Sequence, residues 1–297
     1  MNFLNTHINK NLTFINLIKN CKENFFLKPN SPETKKINKK FVKFYSSKIK
    51  NKKITIDFDS KRKISLPFIQ MGIPSSLGLF AYHEHNIFLF YLNNFGYYKK
   101  VADIGANIGL HSIVLSKLGY KVDVFEPDPR HFKQLKKNVK LNKCKNITFF
   151  NNAIFDKKSD VQFTRVINNT AANHISGFKD NLHGPVKNFK VKTIDIKKIV
   201  KNYDLIKIDA EGSEGKIIKR LRKSDFKNVD IICEISGLDN AKIIFKHCNK
   251  EKINIFSHKI AWKKATKIRD LPLHHTEGLI IISSKDISDL LPSKKSK

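Results

Sequence analysis

The segment VADIGANIGLHS, residues 101–112, constrains the fold of this chain more than any other feature. Its apolar start predicts a short strand that ends at Asp103, and its last residues predict the start of a helix. Gly105 and Gly109 lie between the two, where glycine allows a tight turn and lets a ligand approach without meeting a Cβ atom. Their spacing differs from the G-x-G-x-x-G pattern, which argues against a dinucleotide cofactor.

The sequence after this turn predicts a nucleoside-binding crevice. A second strand at 121–125 leads to Glu126. This acid lies about 20 residues beyond the turn, where an acid binds ribose hydroxyls in sheets of this type. A third strand at 147–151 is followed by Asn152 and Ala153, which we expect on the far side of the crevice, near an adenine. An ordinary strand-end loop would leave the same pattern at these two positions.

The pattern from residue 100 onward predicts an α/β fold, because alternating short strands and helices are typical of a mainly parallel sheet. The predicted strands are 100–104, 121–125, 147–151, 205–209, 231–235, 253–256 and 279–283. The predicted helices are 110–117, 129–142, 214–221 and 240–248. Residues 162–189 fit neither period, which predicts an insertion at the edge of the site.

Residues 1–65 are predicted to form a basic N-terminal appendage to a domain that covers 66–297. They are rich in Lys and Asn and show weak periodicity, with a short helix expected at 12–18 and a strand at 54–58. The stretch 35–53 is nearly a charge run, and such runs favour a solvated or loosely ordered segment over a core element.

Acidic side chains lie at the ends of the two following strands. Asp209 and Glu211 follow the fourth strand, and Glu234 ends the fifth. Open α/β sheets bind ligands at the carboxyl ends of their strands, and acids there are costly if they are buried without a partner. Functional roles are therefore favoured for Asp209 and Glu211. For Glu234, an ion pair with Lys207 is a real competitor, and His174 in the insertion is the histidine chosen as a candidate base.

The net charge of +31 admits a nucleic-acid partner. However, only six of the 57 basic residues are arginines, whereas close phosphate recognition uses Arg as well as Lys. A surface rich in Lys, Asn and Ile is also what an AT-rich genome encodes, and this interpretation is favoured. The sequence shows no apolar run of membrane-spanning length, no signal-peptide pattern and no metal or disulfide spacing of its four cysteines, so a cytoplasmic protein is expected.

Taken together, these residues resemble the FkbM family of S-adenosylmethionine-dependent methyltransferases. The matching segments, in order, are VADIGANIGLHS, VFEPDP, VKTID, LIKIDAEGSE and ICEI. The resemblance spans residues 84–284 and leaves the N-terminal segment unmatched. The ordered set is specific, although no single segment is, and the region 156–190 departs most from the family pattern.

The resemblance implies a Rossmann-like, seven-stranded, mostly parallel sheet whose last strand is antiparallel, the fold of class I methyltransferases. It also implies S-adenosylmethionine as the cofactor and methyl transfer to a hydroxyl of a sugar, a glycan or another small metabolite. Asp103, Gly105, Asn107 and Gly109 would hold the methionine part of the cofactor, and Glu126 would bind the ribose hydroxyls.

The resemblance also places Asp209 and Glu211 on the family's K-I-D-x-E-G segment. A hydroxyl acceptor needs a base, for which Asp209 is the first candidate and His174 the second. A variant with Asp209, Glu211 and Glu234 as Mg²⁺ ligands ranks below a metal-free reaction. Two alternatives stay open: an RNA methyltransferase that uses the basic surface, and a non-catalytic binding protein of the same fold.

Overall fold

The computed structural model of the chain describes residues 12–70, 75–80, 82–167, 169, 172–179 and 184–292. Its helices are α1 (Phe14–Asn20), α2 (Pro32–Ser46), α3 (Tyr82–Asn93), α4 (Leu110–Leu118), α5 (Pro129–Leu141), α6 (Ile196–Ile199), α7 (Glu214–Lys219) and α8 (Leu238–Glu251). Its strands are β1 (Ile49–Lys50), β2 (Lys53–Asp57), β3 (Lys63–Pro67), β4 (Lys100–Ile104), β5 (Lys121–Phe125), β6 (Ile147–Phe150), β7 (Ala153–Phe155), β8 (Asp160–Val166), β9 (His174–Ile175), β10 (Val186–Asp195), β11 (Leu205–Ile208), β12 (Asp230–Glu234), β13 (Asn254–Ser257), β14 (Lys263–Lys264) and β15 (Leu279–Ser283). None of the described helices combines the length and the apolar character that crossing a bilayer requires.

The main sheet has the strand order β14-β13-β15-β12-β11-β4-β5-β6. Strands β12, β11, β4, β5 and β6 are parallel to one another, whereas β15 is antiparallel to both β12 and β13. The predicted α/β fold, with its last strand antiparallel, is therefore confirmed. The predicted count of seven strands is one short, because β14 pairs with the end of β13 and adds an edge strand of two residues.

The strand order brings three loops together at one edge of the sheet. Strand β4 lies between β5 and β11, and parallel strands end at the same edge, so the loops after these three strands are neighbours. Helix α4 begins after Gly109, and α5 begins at Pro129, with the Asp128 side chain accepting a hydrogen bond from the N–H of Arg130. Proline at the first helical position and Asp as the cap are both favourable.

The described part of the N-terminal segment, residues 12–65, packs into the core on one face of the main sheet. The apolar side of α2 carries Ile37, Phe41 and Tyr45, which are fully buried in one cluster with residues of α3 and α4. The loosely ordered segment expected at 35–53 is therefore wrong, because the lysines of α2 lie between apolar positions that recur at helical spacing. The domain boundary at residue 65 stays a prediction.

The region between β6 and β11 forms a second, smaller sheet with the order β7-β10-β8-β9. Strands β8 and β10 are antiparallel, with Asp160 opposite Lys192 at one end and Val166 opposite Val186 at the other. Strand β9 pairs with β8 through His174. Apolar residues of β7, β8 and β9 join the core on the other face of the main sheet. The described residues of the predicted insertion therefore contribute strands to this second sheet, which brings residues 172–179 to the edge of the main sheet.

Candidate active site

The loop after β4 holds the glycine turn against the end of β11. Gly105 has φ +73°, and a Cβ atom placed on it would lie 1.8 Å from the carbonyl oxygen of Asp209. Gly109, at φ +92°, leads into α4. Position 105 therefore requires glycine for two reasons, its backbone angle and its close contact with β11.

The carboxylate of Glu126 is held beside this turn by two backbone donors. The N–H of Asn107 donates to Oε2 at 2.8 Å, and the N–H of Asp128 donates to Oε1 at 2.8 Å. Glu126 is only 4% exposed, and burial raises its pKa to about 8 against the lowering effect of the two hydrogen bonds. The acid predicted to bind a ribose thus contacts the backbone of the loop predicted to bind methionine.

Two buried oxygen atoms beside the turn lack a hydrogen-bond partner within the described part of the chain. They are Oδ1 of Asp103 and Oδ1 of Asn107. Asp103 is fully buried at the end of β4, and its other oxygen accepts a hydrogen bond from Ser112 Oγ at 2.5 Å. Because buried polar atoms are normally hydrogen-bonded, these two oxygens fit a ligand that brings its own donors.

Lys207 links the glycine turn to the predicted catalytic carboxylate. Its Nζ lies 3.2 Å from Oδ2 of Asp209 and 3.7 Å from Oδ1 of Asp103. Burial alone would lower the pKa of Lys207, but the charges of Asp209 and Asp103 raise it above its usual range. The lysine is therefore charged, and its ion pairs join the ends of β4 and β11.

Glu211 and Glu234 lie at the same edge of the sheet as Asp209. Glu211 follows β11 with φ +50° and forms an ion pair with Lys179. Burial raises the pKa of Glu211 to about 7, and the charge of Asp209 adds to this effect. Burial also raises the pKa of Glu234 well above its usual range. No group of three or more His, Cys, Asp or Glu among the described residues is placed to bind a metal ion.

His174, the second candidate base, is buried in β9. Its Nδ1 lies 2.8 Å from the carbonyl oxygen of Ala172, which assigns the proton to Nδ1 and leaves Nε2 as an acceptor. Burial lowers the pKa of His174, and the charge of Lys179 lowers it further. The imidazole is therefore neutral at pH 7, the form in which it can take a proton.

The family follows from a sequence match that covers half of the chain. Residues 103–251 match the model of the methyltransferase FkbM domain. The chain belongs to the FkbM methyltransferase family. S-adenosylmethionine is therefore its cofactor. The glycine turn, the buried acid Glu126 and the two buried oxygens that lack a hydrogen-bond partner among the described residues fit such a ligand, which carries an amino group and ribose hydroxyls as donors.

Three solved methyltransferase structures overlap with this FkbM methyltransferase at low identity. The precorrin-6y C5,15-methyltransferase of Geobacter metallireducens is 14% identical, with 67% of this chain and 88% of that chain covered and a TM-score of 0.37. The ribosomal protein L11 methylase of Lactobacillus delbrueckii is 16% identical, with coverages of 68% and 78% and a TM-score of 0.38. An S-adenosylmethionine-dependent methyltransferase of Agrobacterium tumefaciens is 9% identical, with coverages of 67% and 59% and a TM-score of 0.40. No curated protein matches the sequence.

The end of β6 carries a polar contact that sequence reasoning missed in this FkbM methyltransferase. Asn151 donates from Nδ2 to the carbonyl oxygen of Glu126 at 2.7 Å. Asn152, predicted to lie near an adenine, donates to the carbonyl oxygen of Lys192 at 3.3 Å, and Ala153 begins β7. The structure thus brings Asn151 to the Glu126 loop, and the roles of Asn152 and Ala153 stay predictions.

A buried ion pair beside Glu126 was also missed. Asp128 is fully buried and accepts hydrogen bonds from Nε of Arg165 at 2.6 Å and from Nδ2 of Asn173 at 2.8 Å. Burial alone would raise the pKa of Asp128, but the hydrogen bonds from Arg165 hold it below its usual range. The sequence signal was weak, because a lone arginine in the insertion does not reveal a partner 37 residues away.

Proposed function

We propose that this chain methylates a hydroxyl oxygen of a sugar, a glycan or another small metabolite, with Asp209 as the base. The observation that carries the proposal is the contact between Asp209 and the glycine turn. The N–H of Asp209 donates to the carbonyl oxygen of Ile104 at 3.1 Å, and its own carbonyl oxygen lies against Gly105. The candidate base therefore adjoins the loop predicted to bind the methionine part of S-adenosylmethionine.

The side chain of Asp209 is suited to act on an acceptor. Its exposed fraction is 29%, whereas that of Lys207 is 8% and that of Asp103 is zero. The salt bridge to Lys207 orients the carboxylate, and the exposed part of the side chain leaves it accessible to an acceptor. When bound, S-adenosylmethionine supplies an activated methyl group, so the task left to the chain is to align the acceptor and remove its hydroxyl proton.

His174 and Glu211 support the proposal in lesser roles. His174 is neutral with an acceptor nitrogen, but it is only 1% exposed, so Asp209 precedes it as the candidate base. Glu211 forms an ion pair with Lys179, which holds its side chain in place. A carboxyl group held in this way is suited to orient an acceptor rather than to remove its proton. Lys179 stays charged, because the carboxylate of Glu211 raises its pKa although burial lowers it.

The carboxyl groups at the ends of β11 and β12 suit an acceptor that carries hydroxyl groups. Asp209, Glu211 and Glu234 lie at the ends of β11 and β12, and each is a carboxyl group. Carboxyl groups form hydrogen bonds with hydroxyl groups whether they are ionised or protonated. This chemistry supports a hydroxylated acceptor without any argument from net charge.

The test uses paired substitutions at the two ends of one strand. Asp209 follows β11 at its carboxyl end, and Asp204 precedes it, where Asp204 accepts hydrogen bonds from the N–H groups of Lys99 and Lys100. Labelled S-adenosylmethionine is incubated with a panel of sugars, glycans and RNA oligonucleotides, and the methylated atom is identified by NMR. We expect O-methylation of a hydroxylated small molecule.

With that acceptor, we expect Asp209→Asn to lower kcat by about 10²–10⁴-fold, the usual contribution of a general base. The same variant should bind S-adenosylhomocysteine nearly as the wild type does, and Asp204→Asn should keep its activity. Normal turnover by Asp209→Asn would remove Asp209 from the mechanism. Methylation of RNA alone would replace the proposed acceptor class.

A further inference from the structure

Residues 172–179, here named the strap, are tied to two different strands of the main sheet. At one end, Nδ2 of Asn173 donates to Oδ2 of Asp128 at 2.8 Å. At the other end, Lys179 forms an ion pair with Glu211. Asp128 follows β5 and Glu211 follows β11, so the strap joins the carboxyl ends of these two strands.

The strand order shows which strand lies between the two that anchor the strap. Strand β4 is between β5 and β11, and neighbouring strands are about 4.8 Å apart, so the two anchoring strands are about 10 Å apart. Six residue steps span up to about 20 Å when extended, which is enough to cross this gap with a turn. The strap therefore crosses beside the carboxyl end of β4, where Gly105 and Asn107 lie.

Contacts along the strap hold it close to the sheet edge. The carbonyl oxygen of Phe178 lies so near Gly212 that a Cβ atom there would approach it to 2.7 Å. The Phe178 ring also packs edge-on against Phe155, with ring centroids 5.7 Å apart. His174 is 1% exposed in the same segment. The end of the strap is thus packed against β7 and against the loop that follows β11 and carries Asp209.

Asp128 forms hydrogen bonds with both Glu126 and the strap. Its N–H donates to Oε1 of Glu126 at 2.8 Å, and its carboxylate accepts from Asn173 and from Arg165. The side chain of Arg165 is 7% exposed and that of Asp128 is fully buried. Charge-assisted hydrogen bonds of this kind are short, directional and strong, so movement of the Glu126 loop is transmitted to Asn173.

We propose that Asp128 is a positioning residue that couples occupation of the cofactor site to the placement of the strap. The inference rests on the proposed function, because it takes Glu126 to be the acid that binds the ribose. A ligand that engages Glu126 fixes the loop from Glu126 to Asp128, and this loop in turn fixes Asn173 and the start of the strap. The strap, including His174, then opens less often when the cofactor is present than when it is absent.

The test measures amide hydrogen exchange of the full chain with and without S-adenosylhomocysteine. We expect the ligand to slow exchange in a strap peptide by about tenfold or more in the wild type, as local opening is suppressed. Asn173→Ala removes the link to Asp128 and should abolish most of this ligand-dependent slowing. Asn188→Ala is the matched control, because Asn188 accepts from Thr164 of the same small sheet but does not contact Asp128.

A purely structural role for Asn173 would raise exchange in both states and leave their ratio unchanged, and this result would overturn the proposal. The proposal would also be overturned if S-adenosylhomocysteine still slowed hydrogen exchange of the strap in Asn173→Ala. Arg165→Lys, which keeps the charge but loses the fork of two hydrogen bonds, should weaken the response and serves if Asn173→Ala does not fold. A wild type that binds no S-adenosylhomocysteine would refute the proposed function itself, whereas binding without any response of the strap refutes only the coupling.

Discussion

At the scale of single residues, Gly105 joins two strands through the absence of a side chain. A Cβ atom added at this position would collide with the carbonyl oxygen of Asp209. The φ angle of +73° is also one that residues other than glycine rarely adopt. The turn after β4 and the candidate base can therefore approach this closely only because residue 105 is glycine.

Gly105→Ala should cost more stability than the backbone angle alone explains. Gly96 provides the matched control, because its φ is +101° and an added Cβ would meet nothing within 4 Å. Gly96→Ala should cost about 1–2 kcal/mol from strain. Gly105→Ala should cost several times as much and should abolish cofactor binding, as measured by urea denaturation and calorimetry. Equal losses in the two variants would contradict the close contact.

The pKa of Glu126 predicts how cofactor binding depends on pH. Burial raises this pKa to about 8, so much of the ligand-free protein carries a protonated Glu126 at pH 7. Ribose hydroxyls donate to the ionised form and therefore favour loss of that proton on binding. The affinity for S-adenosylhomocysteine should thus increase by at most about tenfold per pH unit between pH 6 and pH 8. Above pH 8 the affinity should level off.

Calorimetry in buffers of different ionisation enthalpy measures the proton released on binding. Glu126→Gln keeps the size of the side chain but cannot ionise, so its weaker binding should show no such pH dependence. A wild-type affinity that stays flat from pH 6 to 9 would contradict the protonated state of Glu126.

Residues near one another in sequence could be predicted at this site, and distant partners could not. Asp103, Gly105 and Glu126 follow from the strand-end pattern, and the structure brings them together around one loop. The Asp128–Arg165 pair joins segments 37 residues apart, and nothing in a single sequence specifies which arginine meets which acid. Lys207 was considered only as an ion-pair partner of Glu234, whereas the structure pairs it with Asp209 and, through the neighbouring strand β4, with Asp103.

At the scale of elements, α2 shows why charge alone misled the sequence interpretation. Lysines dominate the helix, yet Ile37, Phe41 and Tyr45 recur at helical spacing and are fully buried. The Tyr45 hydroxyl forms a hydrogen bond with His85 of α3, which joins the N-terminal segment to the core. A charge run with apolar residues every three to four positions predicts an amphipathic helix rather than a loosely ordered segment.

The packing of α2 can be tested with two neighbouring positions of the helix. Phe41 is fully buried, and its ring centroid lies 4.2 Å from that of His85, whereas Val42 is 44% exposed. Phe41→Ala should lower the free energy of unfolding by about 3–5 kcal/mol, the usual cost of deleting a buried aromatic ring. Val42→Ala should change it by less than about 0.5 kcal/mol. Urea denaturation of both variants measures these changes. A small loss of stability in Phe41→Ala would contradict the packing of α2 in the core.

At the scale of the whole molecule, the formal net charge does not reveal which ionisable groups gather at the candidate site. The chain has a formal net charge of +31, yet carboxyl groups gather at the ends of β11 and β12 around Lys207. The overall fold could be predicted because alternating strands and helices are local patterns, and β14 could not because two lysines carry no strand signal. Net charge describes the solvated surface and says little about the site.

The central claim is that the crevice around Gly105 and Glu126 binds S-adenosylmethionine. Calorimetric titration of the wild type and of Glu126→Ala with S-adenosylmethionine and S-adenosylhomocysteine tests it most directly, with thermal melting to show that both proteins are folded. We predict micromolar binding by the wild type, a binding free energy of about −8 kcal/mol, and a loss of at least about tenfold in affinity in the variant. A folded wild type that binds neither ligand, or a variant that binds both as tightly as the wild type, would contradict the claim.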